Sequence, residues 1–265
     1  MRAYRVAYDG QPFAGFQRQP DEHTVEDALL DALRGLGVLD DGDVPDGYAA
    51  AGRTDAGVSA VEQTVAFAAP DWLTPAAFNS ELPADVRAWA SADAPADFHA
   101  THHAASRTYT YHLHAPDASV ERARTACDAF TGEHDFHNLT PDDDGTVRDI
   151  ALAVARDGPF LVLDVTAGGF ARQLVRRVVT VVAAVARDTA TERRIERVLG
   201  DESLSGPAGV APAPAFPLVL TDVTYPMLDF SVDADAADSV AVIFDQRRVE
   251  HATRARVLGL LADRG

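Results

Sequence analysis

The sequence predicts an α+β fold built as two similar halves, and three patterns carry that prediction. Stretches alternating polar and apolar residues, as half-buried strands do, are interleaved with stretches whose apolar residues recur at helical spacing. This rhythm occurs twice, on either side of the Pro/Ala/Asp-rich stretch Ser91–Asp97, which has no periodicity and reads as a linker. Antiparallel hairpin signals and the absence of a Gly-rich phosphate loop argue against a doubly wound parallel sheet and against a nucleotide cofactor. The halves are residues 1–97 and 98–265.

Each element has its own signal. Arg2–Tyr8 alternates as a strand and runs into the turn-prone Asp9-Gly10 and then Gly15. A helix starts after Thr24, an N-cap answered by Asp27, and Val25, Ala28, Leu29, Ala32 and Leu33 form its apolar face before Gly35 and Gly37 end it. Gln63–Ala69 reads as a strand, and Pro75–Leu82 as a short helix with Pro in its first turn. Beyond the linker, Arg107–His114 alternates as a strand and Glu121–Phe130 is helical. Ile150–Arg156 and Phe160–Thr166 form a hairpin around Asp157-Gly158. A long helix over Phe170–Arg187, a shorter one over Thr191–Leu199 and a strand over Leu218–Tyr225 follow. Residues after Gln246 read as an amphipathic helix, with Val249, Val257, Leu258, Leu260 and Leu261 available for packing.

With 265 residues, 47% of them hydrophobic, the chain can bury a substantial core. The single cysteine, Cys127, excludes an internal disulfide and a Cys-paired zinc site and reads as a buried thiol in a reducing compartment. No apolar run is long enough to cross a bilayer and the first eight residues lack a signal-peptide core, so a soluble cytoplasmic protein is expected. The net charge is −18, Lys is absent and all 23 basic residues are Arg. Acidity of this degree ordinarily speaks against nucleic-acid binding. An Asp-rich, Lys-free chain nevertheless has the composition of proteins from extreme halophiles, and molar salt shortens the screening length to about 3 Å, so local clusters of Arg decide the matter. Such clusters occur at Arg193, Arg194 and Arg197 and at Arg247, Arg248, Arg254 and Arg256. They serve equally as tracks for an RNA backbone and as partners for the many carboxylates.

The chemistry concentrates in Ala51-Gly-Arg-Thr-Asp-Ala-Gly-Val-Ser-Ala60. Two glycines tighten a loop that presents Asp55, with Arg53 and Thr54 placed to bind phosphate or orient the carboxylate. Composition alone also allows a plain surface turn with an Asx hydrogen bond. The string Gly52-Arg-Thr-Asp-Ala-Gly-Val58 resembles the signature of tRNA pseudouridine synthases of the TruA family. Further matches follow in family order: Tyr8-Asp-Gly10, Gly15-Phe-Gln17, Thr24-Val25, Phe78-Asn-Ser80 with Leu82-Pro83, Phe98-His-Ala100, Arg107-Thr-Tyr-Thr-Tyr111, Gly132–Phe136, Phe170–Arg176 and Ala211-Pro212. The resemblance spans residues 3 to 225.

It implies two ferredoxin-like subdomains with antiparallel sheets forming a central RNA-binding cleft, a homodimer, tRNA as substrate, and uridines of the anticodon stem-loop as targets. It also implies isomerisation without metal or cofactor. By the same resemblance Asp55 is the carboxylate that breaks the glycosidic bond, Tyr109 stacks on the flipped base and assists proton removal, and Arg176 pairs with Asp55. An arginine there keeps a carboxylate ionised and fixes its rotamer. Arg53, Thr54, Arg172 and Arg107 are assigned to substrate binding. Thr101 and His102 depart from the family's Arg-Phe, and Ser59 from its His, so the resemblance does not carry the family's RNA contacts over to those positions. The histidines at 99, 102, 103, 112, 114, 134 and 137 fit no closed metal pattern. Two competing functions remain: a catalytically inactive tRNA-binding protein of the same fold, and a hydrolase pairing Asp55 with Asp9.

Overall fold

In a computed structural model, which describes residues 1–40 and 44–262, the elements assemble around one sheet. Strand β1 (Arg2–Tyr8) is followed by helix α1 (Val25–Gly35). Thr24 caps α1 as expected, its hydroxyl accepting from Asp27 N at 3.2 Å while the Asp27 carboxylate accepts from Thr24 N at 3.3 Å. Strands β2 (Ala49–Ala50) and β3 (Ser59–Phe67), helix α2 (Pro75–Asn79) and strand β4 (Val86–Asp93) complete the first half. Then come β5 (Ser106–His114), α3 (Val120–Phe130), β6 (Gly132–Asp135), and the hairpin of β7 (Val147–Asp157) and β8 (Phe160–Ala167). Helices α4 (Leu174–Ala186) and α5 (Arg193–Val198), strands β9 (Leu218–Thr224) and β10 (Ser231–Val232), and helix α6 (Ala234–Ala262) end the described chain.

Among the described residues the ten strands form one mixed, mostly antiparallel sheet in the order β10-β4-β1-β3-β9-β5-β8-β7-β6, with β2 also on β3. The two halves therefore do not carry separate sheets. They join where β9, from the end of the chain, pairs parallel with β3 through Ser59–Val219 and Ala60–Leu220 and antiparallel with β5. Two apolar clusters lie on this sheet. One gathers α1, α2 and β1 around Tyr4, Phe67 and Phe78; the other gathers α3 and α4 around Phe130, Phe136 and Val178. The first also takes in Phe98, Ala100, Leu220, Val223 and Tyr225.

Four sequence expectations are corrected. Ser91–Asp93 belongs to β4 rather than to a linker; Val86, Ala88, Ala90 and Ala92 point inward in strict alternation, but alanine is a weak strand signal. The long helix starts at Leu174, not Phe170, because Gln173 has φ 61 and breaks the helical path. The last helix starts at Ala234, well before Gln246, where the Asp233 carboxylate accepts from Ala236 N at 3.1 Å. Its outer residues Val249, Val257, Leu258, Leu260 and Leu261 are exposed rather than packed. No helix among the described residues is long and apolar enough to cross a membrane.

Candidate active site

Ala51–Val58 bridges β2 and β3, which are themselves paired, so the loop must leave and return at neighbouring points. Buried polar groups hold it from beneath. Gln63 Nε2 donates to Gly52 O at 2.9 Å, and the Thr54 hydroxyl lies 2.9 Å from the Tyr8 phenol. From above, Phe16 N donates to Thr54 O at 3.1 Å. Gly15, at φ 114, permits this approach: a Cβ there would sit 3.1 Å from Thr54 O and 3.3 Å from Ala56 N. Val58 N donates to Asp55 O at 3.1 Å and closes the turn, leaving the Asp55 carboxylate, 29% exposed, at the wall of a cleft of about 1250 Å³.

The opposite wall comes from the start of α4. Arg176 Nη1 donates to Asp55 Oδ2 at 2.7 Å, and Arg176 Nε donates to Ala213 O at 2.7 Å. Ala213 N returns a bond to Arg176 O at 3.1 Å, so the guanidinium that meets the carboxylate is fixed at both ends. The pair is partly open to solvent and faces the cleft.

Period two on β5 sends Arg107, Tyr109 and Tyr111 to one face, but their fates differ. Tyr111 is buried and donates its hydroxyl to Pro214 O at 3.2 Å. Tyr109 lines the cleft with its ring edge-on to Phe170, centroids 5.3 Å apart. Burial pushes its phenol up to about 12, and nearby Asp55 adds to the effect while Arg107 opposes it. At neutral pH Tyr109 is thus a neutral ring.

The residues read as substrate-binding fall into two groups. Arg53 is exposed at the cleft and has no hydrogen bond or ion pair among the described residues. Arg172 stands at the rim, outside α4 rather than one helical turn before Arg176, and Asp142 holds it: Arg172 N donates to Oδ2 at 2.8 Å and Nε to Oδ1 at 3.1 Å. The backbone bond from Arg172, with its charge, keeps Asp142 below the usual carboxylate range. Thr54 and Arg107 also line the cleft but, by contrast, are buried with their polar groups engaged inside the protein. Sequence reasoning passed over Phe170 as a ring partner and Asp142 as an anchor; only the Gly-Gly-Phe turn before α4 signalled the first.

Asp9 does not line the cleft. It accepts from Gln11 N at 3.0 Å and pairs with Arg247 at 3.5 Å, so the hydrolase reading lacks its second carboxylate. Arg247 also pairs with Asp85, Arg248 with Asp245, and Arg194 donates to Ala208 and Gly209 carbonyls, so each arginine cluster is in part internally engaged.

A family described as tRNA pseudouridine synthase matches residues 126–226. The chain is 59% identical to the tRNA pseudouridine synthase A of Haloarcula marismortui and 57% identical to that of Natronomonas pharaonis, with 99% of both chains covered in each case. It is 33% identical to the tRNA pseudouridine synthase A of Archaeoglobus fulgidus, over 99% of this chain and 98% of the relative. Among solved structures, a Cbf5-Nop10-Gar1 complex is similar at TM-score 0.37 and 14% identity, over 83% of this chain and 48% of the other. End-to-end identity at this level, together with the loop, the strand tyrosine and the helix arginine meeting in one cleft, shows that the chain belongs to the tRNA pseudouridine synthase A family and is a pseudouridine synthase, an intramolecular isomerase.

Proposed function

We propose that the cleft receives a uridine flipped out of the anticodon stem-loop of a tRNA and that Asp55 is the catalytic carboxylate. The observation that carries this reading is the 2.7 Å contact between Arg176 and Asp55 across the cleft, made by residues 121 apart in sequence. The arginine aims the carboxylate and favours its charged form, which attack on the sugar or base, or removal of a sugar proton, requires. The N1–C1′ bond breaks, the uracil turns, and a C5–C1′ bond forms; C5 loses its proton and N1 gains one. Atoms and electrons balance, so the reaction needs no oxidant or reductant.

Tyr109 and Phe170 form an aromatic corner on which the extruded base stacks, offsetting part of an unstacking cost of a few kcal/mol. Being protonated, Tyr109 acts as platform and hydrogen-bond donor before it acts as a base. Arg53 and Arg172 face outward toward RNA phosphates.

The same reading places two ferredoxin-like subdomains, residues 1–97 and 98–265, on either side of the cleft, with β9 and α6 crossing back to the first. It places the enzyme in the cytoplasm as a homodimer. Supporting the dimer, residues 248–262 of α6 are exposed on every side and carry Val249, Val257, Leu258, Leu260 and Leu261, an apolar surface that a second copy would cover. Asp55→Asn tests the central point, because the isosteric amide keeps the loop but is neither nucleophile nor base. Pseudouridine formation falls by at least about 10²–10⁴-fold while tRNA binding and the melting curve stay native; normal turnover would sink the assignment and favour a carboxylate elsewhere.

A further inference from the structure

A buried guanidinium normally has a carboxylate beside it, because an unpaired charge away from water is costly. Arg5, the other buried arginine of the sheet, lies 3.5 Å from Glu62. Arg107 is as deeply placed, 7% exposed, yet forms no ion pair among the described residues. Instead it donates four hydrogen bonds to three carbonyls: Nε and Nη2 to Ala51 O at 3.0 and 2.7 Å, Nη2 to Thr101 O at 2.6 Å, and Nη1 to Gly168 O at 2.6 Å. Guanidinium alone offers a planar fork that reaches several acceptors at once and keeps its charge when buried.

The three carbonyls belong to three walls of the cleft. Ala51 opens the loop that carries Asp55. Thr101 lies in the loop that brings His99 to the cleft, and Gly168 begins the turn that leads through Phe170 and Arg172 to Arg176. A second stitch lies beside the first, for the Thr101 hydroxyl donates to Ala50 O at 2.6 Å. Arg107 supplies the side-chain hydrogen bonds that tie β5, and with it Tyr109, to the Asp55 loop and to the turn before α4.

We propose that Arg107 is a positioning residue for the isomerisation: one guanidinium sets the spacing of the three cleft walls, and RNA does not touch it. The proposal rests on the reading of the cleft around Asp55, and its test is separable from that reading because wall mobility can be measured without turnover.

The experiment uses the full-length enzyme with Arg107→Lys, which keeps the charge but has one nitrogen to share among three carbonyls, and with the milder Thr101→Val. Single-turnover rate and KM are measured on unmodified tRNA, beside hydrogen exchange. For Arg107→Lys the rate falls by on the order of 10²-fold, as a small misplacement of reacting groups produces. KM stays within about threefold, because no binding contact is lost. Exchange accelerates at residues 51–57, 99–103 and 168–173 together, and strands β1 and β8 keep their protection. Thr101→Val shows the same split with a smaller fall. A raised KM at unchanged rate would make Arg107 a tRNA contact and overturn the proposal. Wild-type rates in both variants, or exchange accelerated throughout the sheet, would overturn it too.

Discussion

The Asp55 carboxylate is held by its neighbours: Arg176 donates to it, and Val58 N closes the turn that presents it. The signature around it, the Tyr109 strand and Arg176 were legible as residue types in a known order, and the structure brings all three to one cleft. That Arg107 is buried against carbonyls while Arg53 is exposed was not legible, because a sequence does not distinguish an arginine facing solvent from one facing carbonyls; burial decides, and for Arg107 it depends on β5 lying between β8 and β9. Two predictions belong at this scale. Arg176→Met removes the donor to Asp55 and the tie to Ala213, and hydrogen bonds to a charged group contribute about 1.5–3 kcal/mol, so kcat/KM falls by about 10–100-fold in a steady-state assay. The second concerns alkali. Burial raises the Tyr4, Tyr109 and Tyr225 phenols and the Cys127 thiol to about 12, from ordinary values of 10.0 and 9.0. Between those ordinary values and about 12 the folded chain holds protons that the unfolded chain has released, so stability is fully present below pH about 9 and declines above it. Urea midpoints measured from pH 8 to 11 should hold up to about pH 9 and fall beyond it; a flat series would contradict the buried phenols and thiol.

At the scale of elements, local signals held where the chain itself supplies the partner. The capping box at Thr24 and Asp27 is complete within four residues, and α1 starts where it says. Thr24→Ala should cost about 1 kcal/mol, lowering Tm by roughly 2–4 °C in a chain of this size with turnover unchanged; calorimetry beside the assay checks both. The hairpin of β7 and β8 was likewise legible, since Gly158 at φ 53 supplies the turn locally. Elements that depend on distant partners were not. Strand β4 is a strand because β1 and β10 flank it, and its inward residues are mostly alanines, which announce nothing. The first half of α6 is helical because it lies on β4 and α2, with Asp233 capping it and also accepting from Ala76 N at 3.1 Å. Helix α4 is shorter than its apolar pattern because Gln173 turns left-handed there, and its side chain accepts from Arg177 at 3.0 Å.

For the whole molecule, 41 acidic residues against 23 arginines set the response to salt. Lowering ionic strength lengthens the screening distance to about 10 Å at 0.1 M, and carboxylates that ignored one another begin to repel. An ordinary RNA-binding protein would bind more tightly on dilution of salt, by release of counterions. We expect this chain instead to lose ellipticity and activity together as potassium chloride is lowered from molar concentrations to about 0.1 M. A native spectrum with full activity at the low end would show that the acidity has another cause. Composition, charge and the α+β class are properties of the sequence by itself, because they follow from residue types and from patterns that repeat within a few positions. Whether there are two sheets or one, which arginines reach the cleft and which are sealed beneath it, and where the last helix begins were decided only in the tertiary structure. The physical reason is common to all three: partners distant in the chain, β9 inserting between β3 and β5 some 160 residues after β3, and β4 and α2 lying against α6, create environments that no local pattern encodes.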